Sequence, residues 1–65
     1  MEIRIREARQ AAGFSQEKLA AAVGIDQSQI SRIERGLVPV TLDRLLAIAE
    51  ALRVSVYDLI EEQRP

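Results

Sequence analysis

The twenty residues from Gln16 to Arg35 (QEKLAAAVGIDQSQISRIER) constrain this chain more than any other stretch. Leu19 and Val23 lie four apart, with Ala20 beside them, which places an apolar stripe on one face of a helix. Gly24 follows where that helix must stop, because the residue closing a helix commonly takes a left-handed conformation that glycine adopts without strain. Two residues later Asp26 is a candidate N-cap, with Gln29 three further on at capping-box spacing. Ile30 and Ile33 then turn a second helix back onto the first. Its outward face is left with Gln27, Ser28, Ser31 and Arg32, side chains able to hydrogen-bond base edges or phosphates. The stretch predicts two short helices joined by a tight turn.

The remaining sequence continues the helical pattern. Five helices are expected, at about residues 2–12, 16–23, 27–35, 42–52 and 56–61, forming an all-α, compact five-helix bundle in a single domain of residues 1–65. In the first, Ile5, Ala8 and Ala12 point inward and Gly13 ends the run; Phe14 then turns into the core and Ser15 caps the next helix. Leu37-Val38-Pro39-Val40 is extended, since a residue before proline avoids the helical region. Thr41 caps a helix in which Leu42, Leu45, Ile48, Ala49 and Leu52 recur at three and four. Ser55 opens the last helix with Asp58 at the capping-box position, and residues 61 to 65 form a polar tail expected to fray. Nothing in the pattern suggests strands.

Composition narrows the function classes. The 65 residues include no cysteine and no histidine, so no disulfide framework is available and any metal would rest on carboxylates alone; no metal or cofactor is expected. There is no nucleophile–base constellation and no phosphate-cradling loop, which points away from an enzyme. The charged N-terminal residues lack the apolar run of a signal peptide and no membrane-spanning stretch exists, so a cytoplasmic, nucleoid-associated protein with no membrane and no small-molecule substrate is expected. Two aromatics, Phe14 and Tyr57, are too few for a base-stacking platform. The net charge of −1 is unusual for a nucleic-acid binder. Its distribution is uneven: residues 1–36 hold six basic and five acidic side chains, residues 37–65 three and five.

Arg6, Arg9, Gly13-Phe14-Ser15-Gln16, Leu19-Ala20, Val23-Gly24-Ile25, Gln27-Ser28, Ile30, Ile33-Glu34, Gly36, Thr41-Leu42 and Ala51-Leu52 together resemble the lambda repressor and Cro-like helix-turn-helix family. The resemblance runs from about Ile3 to Ile60. It implies a DNA-binding transcription regulator, a repressor acting as a homodimer on a two-fold symmetric double-stranded operator. By the same resemblance Gln16 clamps a DNA phosphate, Gln27 pairs with adenine, Ser28 reaches a neighbouring base edge and Arg32 reads guanine. Ser31 shares that face, Gln29 leans toward phosphate and Arg35 lies along the backbone. Arg9 and Glu34 match a family pair that forms a partly buried salt bridge between the first and third helices.

Two departures carry consequences. Leu37-Val38-Pro39-Val40 holds no lysine or arginine where many relatives place phosphate contacts, implying weaker affinity and a shallower salt dependence. Arg53 stands where relatives often have glycine or asparagine, implying a looser end to the fourth helix. Leu37, Val38 and Val40 either cover the edge of the core or form an apolar patch that pairs subunits. That patch and the acidic balance keep a second reading open: a protein-interaction module of the same fold, an antitoxin-like or adaptor subunit with little DNA binding.

Overall fold

The computed structural model describes residues 2–61. The order is β1 (Glu2–Ile3), α1 (Ile5–Ala11), α2 (Gln16–Val23), α3 (Gln27–Glu34), α4 (Leu42–Leu52), a single 3-10 turn (Val56–Leu59) and β2 (Ile60–Glu61). Four α-helices therefore carry the fold where five were expected. Ser15 and Thr41 sit in extended backbone and accept from the amides of Lys18 (2.9 Å) and Arg44 (3.2 Å), satisfying one of the donors that each helix start leaves open.

The helix ends share one device. The amides of Phe14, Ile25, Leu37 and Val54 each reach back to the carbonyl five residues earlier, on Arg9, Ala20, Arg32 and Ala49, at 2.9–3.0 Å. Each closure needs a left-handed residue just before that amide. Gly24 provides it between α2 and α3 at φ 82°, and a Cβ there would meet nothing within 4 Å, so the requirement is conformational rather than one of space. At the end of α4 the same role falls to Arg53, at φ 57°. The loose end expected there is not what forms: Arg53 donates to the carbonyl of Glu50 (3.1 Å) and Val54 to that of Ala49 (3.0 Å), so the closure is complete and its cost lies in backbone strain.

The core draws one fully buried side chain from each helix and the 3-10 turn: Ile5, Leu19, Ile30, Ile48 and Leu59. Ala20, Ile33, Leu45, Ala49 and Leu52 complete it, and Phe14, Val23, Ile25, Val38, Val40 and Val56 pack around it. Removing any of the five large side chains costs about 2–5 kcal/mol. α2 packs against both α3 and α4, which fixes the orientation of the α2–α3 pair relative to the rest.

Several expectations are corrected. The first helix begins at Ile5, because Glu2 and Ile3 pair antiparallel with Glu61 and Ile60, and Arg4 N–H donates to the Leu59 carbonyl at 2.6 Å. That two-residue ladder was not legible as strand, being too short for alternation to register. The fifth helix is only a 3-10 turn: Ser55 and Asp58 form a capping box, with Ser55 N–H on Asp58 Oδ2 at 3.0 Å, but Ile60 is already extended to meet Ile3. The third helix ends at Glu34, with Arg35 as its cap. Ala12, expected inward, is exposed, and the buried residue on that helix besides Ile5 is Arg9. Leu42 is exposed because side chains tilt toward a helix N-terminus, so a residue in the first turn overhangs the end and misses the core. Within the tail expected to fray, Glu61 pairs with Glu2 and residues 62–65 lie outside the described residues.

Candidate nucleic-acid interface

α2 and α3 meet across Gly24, Ile25 and Asp26, with Leu19 and Ala20 on one side and Ile30 and Ile33 on the other. Burying Ile30 and Ile33 fixes the rotation of α3 about its axis and leaves Gln27, Ser28, Gln29 and Arg32 exposed, with Ser31 half-buried beside them. None of these five side chains has a hydrogen-bond or ionic partner among the described residues. Arg35, one residue past the helix, is likewise exposed and without such a partner. Asp26 adopts the extended geometry of an N-cap (φ −76°, ψ 147°), yet its carboxylate makes no capping bond and the expected capping box with Gln29 does not form. The Gln29 amide turns to the Asp26 backbone carbonyl instead, at 3.0 Å.

The other end of α3 is tied down. The Glu34 side chain is 0% exposed and accepts hydrogen bonds from three residues. Arg9 Nε donates to Oε2 at 2.6 Å and Arg9 Nη2 to Oε1 at 3.3 Å. Gln16 Nε2 reaches Oε1 at 3.0 Å, and Arg6 Nε approaches the same oxygen at 3.5 Å. The third donor of Arg9, Nη1, bonds the Phe14 carbonyl at 2.7 Å, joining the turn before α2 to the same group. Burial works against the Glu34 charge, but the hydrogen bonds from Arg9 and Gln16, the charge of Arg9 and the bond from Arg6 outweigh it, and the carboxyl titrates below its ordinary value of 4.5. Lys18 lies with its ammonium 4.6 Å from the centre of the Phe14 ring, a cation–π contact over the same turn.

The structure thus separates the residues singled out in the sequence. Arg9, Gln16 and Glu34 converge on one network, while Gln27, Ser28, Gln29, Arg32 and Arg35 stand apart from it in solvent, with Ser31 half-buried among them. Gln16 belongs to both regions: it opens α2, half-buried, with one N–H on Glu34. Arg6 was noted in the sequence only as part of the family pattern; its spacing of three from Arg9, which sets both on one face of α1, was the available signal. Val38 and Val40 pack against the core, whereas Leu37 remains 63% exposed. Among the described residues no cluster of carboxylates is arranged to hold a metal ion, and no helix is long and apolar enough to cross a membrane.

Two short helices locked across a glycine turn, the second presenting an exposed polar face, define a helix-turn-helix unit. The chain belongs to the Cro/C1-type helix-turn-helix family, whose sequence pattern matches residues 5–59. An uncharacterized HTH-type transcriptional regulator of Sinorhizobium fredii, y4dL, is 42% identical over 52 residues, which is 80% of this chain and 26% of that protein; the chain spans about a quarter of this relative. The restriction-modification controller protein C.AhdI from Aeromonas hydrophila has a similar structure, with a TM-score of 0.83 and 42% identity over 88% of this chain and 86% of its own. SinR, a master regulator for biofilm formation solved in complex with DNA, superposes with a TM-score of 0.79 and 33% identity over 88% of this chain and 92% of that one. The family and these structural neighbours are transcription regulators and not enzymes.

Proposed function

We propose that this chain is a sequence-specific, double-stranded DNA-binding repressor that acts as a homodimer on an operator with two-fold symmetry, in the cytoplasm at the nucleoid. One observation carries the reading: Gln27, Ser28, Gln29 and Arg32 form an exposed face on a helix whose rotation and far end are fixed, and among the described residues no protein group competes for their donors and acceptors. In this reading α3 enters the major groove. Gln27 pairs with an adenine edge, Arg32 with guanine O6 and N7, Ser28 and Ser31 with neighbouring edges, and Gln29 and Arg35 with the backbone. Gln16 uses its second amide N–H on a phosphate while the first stays on Glu34. Two copies reach half-sites one turn apart, about 34–36 Å. Repression follows from occupancy alone, which requires no further chemistry from the chain.

Selection of a binding site from random duplexes, followed by fluorescence anisotropy on the selected operator, tests this. Arg32→Ala and Gln27→Ala are each expected to weaken operator binding by about 1–3 kcal/mol, against little change on unrelated duplex. Equal affinity of both variants and wild type for the operator overturns the assignment.

A second reading has its own support in the exposed apolar side chains Leu37, Leu42, Leu46 and Tyr57. It makes the chain a protein-interaction module, and an absence of salt-dependent DNA binding together with tight association to another protein favours it.

A further inference from the structure

The structure assigns Arg6 as a second phosphate-contacting side chain, held beside Gln16 by the buried Glu34 carboxylate; the assignment rests on the DNA-binding reading above. Three basic residues lie near the start of α2, and two are already committed. Arg9 is nine-tenths buried and directs Nε and Nη2 at Glu34 and Nη1 at the Phe14 carbonyl. Lys18 lies against the Phe14 ring. Arg6 is 49% exposed and, among the described residues, is bonded through Nε alone, which leaves both terminal amino groups of its fork available.

Position and charge agree with this availability. Arg6 Nε and Gln16 Nε2 address the same Glu34 oxygen, so the two side chains flank one atom, and a group accepting from Gln16 falls within the reach of the Arg6 fork. Two guanidiniums share one carboxylate, so the cluster carries one positive charge in excess. With Arg9 buried, that surplus is presented by Arg6. On α1, Glu7 lies 3.8 Å from Arg4 and is drawn to that side chain. An acidic chain with an uncharged loop after Gly36 thereby still offers one fixed cation where its proposed phosphate contact sits.

The test is the salt dependence of binding, measured by anisotropy on a selected operator and on an unrelated duplex for wild type, Arg6→Gln, Arg6→Lys and Arg53→Gln. Arg53 supplies the control because it lies by Ala22 and Val23, at the far end of α2, and its loss changes the net charge equally. Arg6→Gln is expected to weaken both duplexes by the same factor and to reduce the slope of log K against log salt by about 0.9 per subunit. Arg6→Lys is expected to keep the wild-type slope, Arg53→Gln to leave it unchanged, and Arg6→Gln to stay folded, with a melting temperature only slightly below wild type because Arg9 and Gln16 still hold Glu34. A wild-type slope in Arg6→Gln overturns the assignment and spares the DNA-binding reading, as does an equal loss in Arg53→Gln. Wild-type protein that binds neither duplex overturns both.

Discussion

At its C-terminal end α3 contributes Glu34, shut off from solvent and bonded to side chains from α1 and the start of α2; at its N-terminal end Asp26 makes no capping bond, and Gln27 and Ser28 have no bonding partner among the described residues. One helix is therefore clamped where it meets the body of the protein and bare where it faces outward. The difference teaches how a chain of 65 residues, with little stability to spare, separates the groups that hold a helix in place from those it presents to solvent. Position is secured by desolvated contacts at the clamped end, and residue identity at the open end is released from any packing duty. Substitutions at the two ends should then report on different properties.

Glu34→Ala gives the largest expected effect. It strands the Arg9 guanidinium, nine-tenths buried, without its counter-charge, and urea unfolding should show a loss of about 3–5 kcal/mol, enough to unfold much of a domain this small. A loss no larger than that of Arg32→Ala would erase the contrast between the ends. Acid should act through the same carboxyl. Because Glu34 titrates lower in the folded state than in the unfolded chain, its contribution is fully present above about pH 5 and is lost as pH falls through the folded value, below 4.5. Stability measured between pH 6 and pH 3 should fall less steeply in Glu34→Gln than in wild type.

The two helix starts give a smaller contrast. The Ser15 hydroxyl accepts from Lys18 N–H while the Asp26 carboxylate makes no capping bond, so Ser15→Ala should cost about 1 kcal/mol in thermal or urea unfolding and Asp26→Ala only a few tenths. Equal costs would show that the start of α3 is capped in solution after all. The helix ends sharpen the picture in the opposite direction. α3 closes at Gly36 (φ 71°) and α4 at Arg53 (φ 57°) with the same hydrogen-bond pattern, so Arg53→Gly should raise stability by about 0.5–1 kcal/mol.

How much of this was legible in the sequence follows from the range of the interactions involved. The α2–turn–α3 unit was readable because its signals are local: Leu19 and Val23 one turn apart, Gly24 at the stop, Ile30 and Ile33 on the return. The polar face of α3 followed from the same spacing, as the complement of its apolar one. Arg9 and Glu34 are 25 residues apart, and only resemblance to a family suggested that they meet. That Gln16 and Arg6 join them depends on how α1 crosses the start of α2 and the end of α3, which no window of sequence contains. Leu42 was misread because periodicity takes no account of where a helix begins. The pairing of Ile3 with Ile60 could not be seen at all, since two residues on each side carry no period and the partners are separated by almost the whole described chain.

That pairing has a topological consequence. With Glu2 opposite Glu61, the path of the backbone enters and leaves the unit at one point on its surface, so the fold is close to a closed ring. A ring of this kind tolerates being reopened elsewhere. A short linker joining Glu2 to Glu61, with new termini cut into the exposed stretch at Leu37 between α3 and α4, would yield a permuted unit in which the clamp and the polar face of α3 are untouched.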